Sequence, residues 1–361
     1  MQADFLPVFL TAMKKRISLK DIAERVGVST ALVSYVLNDQ EEEKRVGKEI
    51  AKRIREVAAE LDYGNSHVTK IATIHSNRTI AFLVADIGDQ YTTEVMRSIE
   101  AECQLLNYTV IYASSDENNV KFEDQINSLV SRQVDGIILV ALEDSEPQIR
   151  FLEEKSIPFV LIDRMITDLE VNIIGIDNFK LARKLTNHII KTGHKRIGLI
   201  TDETSLMHLH DRTEGYRAAL AAAGHLIDPA MIRKIASGNR ALEVSAAIDG
   251  LLLLDPPCDA LFFATATLAI AGLRHIKARK IQVPETLGIV SYDASEIFDL
   301  FYCDITHGIQ PLEEIGRMAV NTLKDVMTPR KVRRKVLLET SFYIGNSCNE
   351  EFNGLQKTSD N

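Results

Sequence analysis

The hydrophobic pattern divides the chain in two. Up to about residue 63, apolar positions recur at helical spacing; from Thr79 onward, short apolar runs alternate with amphipathic stretches. In the first part, Ile22, Ala23 and Val26 follow Ser18, the order of a capped helix. Gly27 supplies the residue at which that helix can stop, because glycine enters the left-handed region without strain. Ser29 stands at the N-cap position of a second helix over 30–37. Ala23, Val28, Val33 and Val36 are small or β-branched, so two short helices can cross closely. A longer helix over 48–61 carries Ile50, Ile54, Val57, Ala58 and Leu61 on one face. The spacing predicts a helix-turn-helix with a third supporting helix. A small three-helix domain with no role on DNA is the alternative.

In the second part, strands are expected at 80–84, 108–112, 136–140 and 159–162, with helices at 92–106, 119–132 and 146–155 between them. This βαβα alternation predicts a parallel sheet covered on both faces. Asp177 opens the crossing into a second unit of the same kind, with a helix over 179–191 and strands at 197–200, 260–264 and 288–291. The expected fold is thus an N-terminal all-α headpiece plus an α/β core of two doubly wound parallel-sheet subdomains. Such a core has a cleft at the carboxyl ends of its strands. Side chains falling there are Asp86 and Tyr91 after the first strand, Asp163 and Arg164 after the fourth, Arg212 at a helix start, Thr265 and Ala266 after FFA, and Asp293 after VSY. His208 and His210 are read as surface loop residues near the cleft, with contact to ligand as the alternative.

Composition narrows the class. With 361 residues, 45% of them hydrophobic and 26% charged, the chain can bury more than one core. No apolar run is long enough to span a bilayer. The early segment FLPVFL lacks the flanks of a signal peptide, so residues 1–12 are expected to be a poorly ordered extension or a start-site artefact. Four scattered cysteines without metal-ligand spacing fit a reducing cytoplasm. The net charge of −9 looks wrong for a DNA binder, but its distribution is uneven. Residues 1–75 hold 12 Lys/Arg against 11 Asp/Glu, and the remainder 30 against 40. The acidic excess therefore belongs to the core. Lys14, Lys15, Arg16, Lys44, Arg45 and Lys48 are the candidate phosphate contacts, or else simply solvated charges. No Gly-rich phosphate loop, GxSxG elbow or metal-spaced histidine cluster is found, so no enzyme and no cofactor are implied.

The stretch SLKDIAERVGVSTALVSYVLN resembles the headpiece of the LacI/GalR, or lactose-repressor, family of bacterial transcription factors. The resemblance runs from about Ile17 to Gly345. It implies a periplasmic-binding-protein-like core that senses a small molecule, such as a sugar or sugar derivative, and a homodimer on a pseudo-palindromic double-stranded operator. The resemblance makes Thr30, Ala31 and Tyr35 base-reading positions, with Ser29 and Ser34 nearer the phosphates. Ser18, Asn38, Arg45, Lys48, Lys70 and Ala72 complete the expected DNA-contacting set. Arg212 and Asp293 become the strongest effector residues, gripping ligand hydroxyls from opposite sides, with Tyr91 and Phe298 stacking on an apolar sugar face; an Arg–Asp pair that holds the loops is the alternative.

The chain departs from the family in two places. Where the family carries Pro-Asn, Ala-Arg and then an intercalating Leu, this chain has Asn65-Ser66, Thr69-Lys70 and Ala72, so a weaker hinge helix and less bent DNA are expected. Where it commonly has Asn-Asp, this chain has Thr265-Ala266, which points to a different ligand or a loss of sensing. The expected layout is a headpiece over 13–63, a hinge over 64–78, a core over 79–345 and a polar tail over 346–361. Within the core, one subdomain takes about 79–177 and 309–337, the other about 178–308 and 338–345. The segment 305–311 is read as a crossing between them. A tail without heptads argues for a dimer rather than a zippered tetramer. A solute-binding protein is the rival reading, since the core architecture is shared.

Overall fold

A computed structural model describes residues 18–37, 46–61, 77–166, 169–236, 238–328 and 333–349. It divides into two compact units, with the boundary between His75 and Ser76.

The first unit contains α1 (Leu19–Val26), α2 (Thr30–Leu37) and α3 (Lys48–Glu60). Ser18 and Asp21 form a reciprocal capping box at the start of α1. The Asp21 N–H donates to Ser18 Oγ at 3.4 Å, and the Ser18 N–H donates to the Asp21 carboxylate at 2.6 Å. Gly27, at φ 78°, ends the helix and returns its N–H to the Ala23 carbonyl. The Leu32 N–H donates to Ser29 Oγ at 3.2 Å, which starts α2. Ile22, Ala23, Val33, Val36, Ala51, Ile54, Val57 and Ala58 form the core. Ile50, expected on the inner face of α3, is instead 44% exposed, and the small Ala51 takes the inward position in that first turn. Arg55 ties α3 to α2 by donating to the Val36 carbonyl.

The second unit holds two six-stranded sheets. The first sheet has the order β2–β1–β3–β4–β5–β11, all parallel, from β1 (Thr79–Val84), β2 (Thr109–Ser114), β3 (Gly136–Leu139), β4 (Phe159–Ile162), β5 (Ile173–Ile176) and β11 (Lys335–Leu338). The second has the order β7–β6–β8–β9–β10–β12, from β6 (Ile197–Asp202), β7 (Ile232–Ile235), β8 (Ala260–Phe263), β9 (Gly288–Ser291), β10 (Thr306–Ile309) and β12 (Ser341–Tyr343). Only β12 runs antiparallel, against β10. The central strands β1, β3, β4, β8 and β9 are almost wholly buried, as sheets covered on both faces require.

Helices α4 (Gln90–Leu105), α5 (Asn119–Ser131), α6 (Glu146–Glu154) and α11 (Leu312–Val326) serve the first sheet; α7 (Asn178–Lys191), α8 (Met207–Ala222), α9 (Arg240–Leu252) and α10 (Ala266–Arg279) serve the second. The chain crosses between sheets three times: from β5 into α7, from β10 into α11, and from β11 into β12. The expected crossing at 305–311 is therefore first a strand of the second sheet, and only then a crossing. The core also runs past Gly345 into the expected tail. Ser347 Oγ donates to the Ile289 carbonyl at 2.6 Å and accepts from the Thr306 N–H at 2.9 Å, and Cys348 is buried. All four cysteines are buried and unpaired.

Two glycines set how closely helices pack. A Cβ on Gly215 of α8 would lie 2.4 Å from the Phe179 carbonyl oxygen of α7, and one on Gly316 of α11 would lie 2.6 Å from the Ser98 side chain of α4. The α7 contact is with backbone, which cannot swing aside. Gly215→Ala is expected to destabilise the core by about 1–3 kcal/mol, read as an earlier transition in thermal unfolding. An unchanged transition would mean that α7 and α8 pack less tightly than described.

Candidate functional site

In the first unit, Ser18 is spent on the α1 cap, and Asp21 occupies its hydroxyl as well. Ser29, Thr30 and Ala31 lie exposed at the start of α2, while Ser34 and Tyr35 are half-buried one turn further on. Lys48 is exposed at the start of α3. The N-terminus of α2 thus presents small and hydroxylated side chains beside orphan backbone N–H groups, which suits an anionic backbone. Asn38, Arg45, Lys70 and Ala72 lie outside the described residues, as do residues 1–12.

In the second unit, most of the expected effector residues gather at the carboxyl ends of the strands. Arg212 is not at the start of a helix but in the second turn of α8, and it is only 4% exposed. Its Nη1 donates to the Ala264 carbonyl at 2.7 Å and to Asp293 Oδ2 at 3.2 Å, its Nε donates to Asn178 Oδ1 at 3.0 Å, and its guanidinium lies 3.7 Å over the Tyr292 ring. Burial works against this charge, and Asp293, Tyr292 and Asp163 together more than restore it. Arg212 and Asp293 therefore form one wall as an ion pair, rather than opposite jaws. Gln310 completes that wall by donating to Asp293 Oδ1 at 2.7 Å.

The first subdomain supplies the facing wall. Asp163 has a left-handed backbone at φ 65°, and burial pushes its carboxyl up against the opposing pull of Arg164 and Arg212. Arg164 grips Glu117 with two donors, at 2.6 and 2.9 Å, so it is largely a structural clamp. Asp86 accepts from the Gly88 N–H at 2.8 Å in a turn at the rim. Asp89, absent from the sequence candidates, caps α4; partial loss of water and the Asp293 carboxylate raise it to about 6. The Tyr91 hydroxyl is buried without a partner among the described residues, and burial together with Asp163 holds it far above the usual phenol range.

Two expectations, for Phe298 and His208, fail here, and Thr265 has a second task. Phe298 is 3% exposed in the second core, tilted against His307, so it cannot stack on a ligand. Thr265 caps α10 and pairs with Thr267, so its hydroxyl is already engaged. His208 is no surface loop residue: it is buried in the first turn of α8, with Nδ1 unpartnered. Burial, then Arg212 and Arg164, lower it well below its ordinary range, so it is neutral. The helical spacing from His208 to Arg212 was the available signal, since residues four apart share a face.

Two contacts tie the lips of the cleft. Glu143, after β3, accepts from the Thr204 hydroxyl at 2.8 Å and from the Ser205 N–H at 2.7 Å, both after β6. These hydrogen bonds hold the Glu143 carboxyl below the usual range. On the other side Gln90 accepts from the Glu296 N–H at 3.3 Å. Glu143→Gln keeps the shape but weakens both bonds to the charged oxygens, by about 1–2 kcal/mol in total. It is expected to weaken effector binding by about 5- to 30-fold in calorimetry. An unchanged affinity would show that closure does not depend on this latch.

These two units match two family models: "Bacterial regulatory proteins, lacI family" over residues 18–66, and "Periplasmic binding protein-like domain" over 186–348. The HTH-type transcriptional repressor CytR of Escherichia coli K12 is 31% identical, over 87% of this chain and 91% of that repressor. The chain belongs to the LacI family. The ribose operon repressor of Haemophilus influenzae is 29% identical, over 91% of this chain and 98% of its own length. Among solved structures, a complex of the transcriptional regulator CelR with cellobiose is similar at 25% identity and a TM-score of 0.69, covering 92% of this chain and all of that one. A LacI-family chain of this layout is a DNA-binding regulator with a ligand-responsive core, not an enzyme. Among the described residues no helix is long and apolar enough to cross a membrane.

Proposed function

We propose that this LacI-family chain works in the cytoplasm as a homodimeric repressor on a pseudo-palindromic operator, released or recruited by a sugar or sugar derivative in the cleft. The observation that carries the effector half is the Arg212–Asp293 pair. It is a guanidinium and a carboxylate held at strand ends, facing Asp163, Asp89 and an unsatisfied Tyr91 hydroxyl. Asp86, Arg164 and Thr265 shape the rim and hold loops in this reading. The cellobiose complex of a relative supports a carbohydrate ligand. The headpiece half rests on the exposed N-terminus of α2, with Ser29, Thr30, Ala31, Ser34 and Tyr35 toward DNA. Lys48 adds a phosphate contact; Ser18 acts through the α1 cap. A two-fold dimer matches two half-sites about one helical turn apart.

Selection of duplexes from a random library by the full-length protein tests this. Enrichment of one palindrome, bound with a stoichiometry of two chains per duplex, is the expected result. No enrichment, either alone or with pooled carbohydrates and nucleosides, would sink it.

The carboxyl groups also set a pH dependence. Asp89 titrates at about 6 in a cluster with Asp86, Asp163 and Asp293. A ligand hydroxyl donates best to the ionised carboxylate, so binding lowers that pKa and releases a proton. Effector affinity is therefore expected to be full above pH 7 and to fall by up to about tenfold by pH 5. Calorimetry at the two pH values, with the fold checked by melting, would show it; equal affinities would remove Asp89 from the contact set.

A further inference from the structure

The charges that act across the cleft are one-sided. Six carboxyl groups, Asp86, Glu117, Asp89, Asp163, Asp202 and Asp293, interact with three guanidinium groups, Arg164, Arg212 and Arg240. Each cation is already committed. Arg164 is forked onto Glu117, Arg212 donates to Asp293, Asn178 and the Ala264 carbonyl, and Arg240 donates to Asp202 at 3.3 Å. Asp86 and Asp89 have no cation of their own in this set, and Asp163 shares Arg164 with Glu117 at 3.9 Å. His208 adds no positive charge, because the two neighbouring arginines and its burial keep it neutral.

The strain of this arrangement shows in the carboxyl groups themselves. Burial, unrelieved by enough cations, pushes up Asp163 and Asp202 as well as Asp89. What the cleft leaves open is mostly acceptor capacity, on these aspartates and the unpartnered Oε1 of Gln310, beside the unpartnered Tyr91 hydroxyl, His208 Nδ1 and a single guanidinium donor, Arg164 Nε, 3.9 Å from Asp163. A ligand that brings donors satisfies these groups. A ligand that brings a phosphate or carboxylate adds a second negative charge beside the first, with one unpartnered donor, Arg164 Nε, to set against it and no two-pronged guanidinium fork.

We propose that the cleft takes an uncharged ligand rich in hydroxyl or amino donors and excludes its phosphate esters, with Asp89 and Asp163 as the acceptors that impose the choice. This rests on the cleft being the effector site. The discrimination comes from Coulomb repulsion in a confined space. A dianion therefore loses more than a monoanion, and relieving one carboxylate recovers part of the loss.

The test uses the full-length protein and matched pairs: D-glucose and glucose 6-phosphate, D-ribose and ribose 5-phosphate, adenosine and adenosine 5′-monophosphate. Cellobiose is added as a neutral disaccharide. Binding is read by calorimetry and by the change in affinity for the selected duplex. The expected result is that at least one unphosphorylated member binds, and that its ester binds at least about 100-fold more weakly. Asp89→Asn and Asp163→Asn, each shown to melt as a folded protein, should each narrow that ratio several-fold. An ester that binds as tightly as its parent, or more tightly, would overturn the inference and leave small-molecule control standing. A ratio unmoved in both folded variants would overturn the role of the two aspartates. If nothing in either class binds or shifts duplex affinity, small-molecule control itself fails, and the inference falls with it.

Discussion

Arg212→Lys is expected to abolish the effector response, leave operator binding without effector intact, and lower the melting temperature of the core. The native guanidinium fills three directions at once: the Ala264 carbonyl, the Asn178 amide oxygen and Asp293, with its plane against Tyr292. A lysine keeps the charge but has no planar fork and no flat face to stack on Tyr292. At a site only 4% exposed, at least one of those acceptors then loses its partner. Breaking a buried charged network by removing one side costs about 3–5 kcal/mol, and preserving the charge should reduce this to roughly 2–3 kcal/mol. That corresponds to a melting temperature lower by about 5–10 °C. The effect on ligand should be larger, about 100-fold or more, because the same atoms would orient both Asp293 and the ligand. Arg212→Met, which removes the charge as well, should fall at the upper end of the stability range. Calorimetric titration and melting of the two variants distinguish the roles. An Arg212→Lys protein with wild-type effector affinity would show that the pair only holds loops together.

Much of this was legible in the chain, and the reasons differ by level. The strands IAFLV, GIIL and ALFF stand out because sheets buried on both faces need continuous apolar runs, here bounded by polar residues and turns. The capped helices announced themselves through Ser18, Gly27 and Ser29. Of the edge strands, β2 was expected at 108–112, while β7, β11 and β12 were missed, as were β5 and β10 beside the edges. KVLL of β11 is half-exposed, IRKI of β7 carries charge, and THGI of β10 mixes polar and apolar residues. Their identity is set by the neighbouring strand rather than by their own pattern. In the cleft, Arg212 and Asp293 could be named, and so could their pairing as one of two readings, but across 81 positions the sequence could not decide between a pair and opposite jaws. Glu117, which occupies Arg164 from 47 residues away, carried no signal at all. Phe298 fell into the core because aromatic residues near a site are drawn to whichever apolar space is nearer. Asp89 was the recoverable omission: a helix cap at the end of the first βα turn sits where such folds bind ligands.

Tyr35→Ala is expected to be the most damaging single change for DNA recognition, and its signature should be altered base preference rather than uniform weakening. Ser29, Thr30 and Ala31 at the start of α2 are small, so they bring the backbone close to the groove without reaching far across it. Tyr35 is the large side chain of the outer part of this helix, four residues on from Ala31 and therefore above it on the same face. A ring with a single hydroxyl can pack on a thymine methyl and make one hydrogen bond, where an arginine would fork onto guanine. A good base contact is worth about 1–3 kcal/mol, and a two-fold site counts it twice. The expected loss is about 2–6 kcal/mol, or roughly 30-fold to 10⁴-fold on the palindrome, and near nothing on random duplex. The slope of affinity against salt should not change, because no phosphate contact is removed; Lys48→Ala should instead flatten it and weaken all sequences alike. Tyr35→Phe separates the ring from the hydroxyl, since it keeps packing and loses the hydrogen bond. A Tyr35→Ala protein with wild-type affinity for the selected site and an unchanged base preference would show that α2 does not read bases there. In that case specificity in this chain would have to come from DNA deformation and from phosphate positions alone.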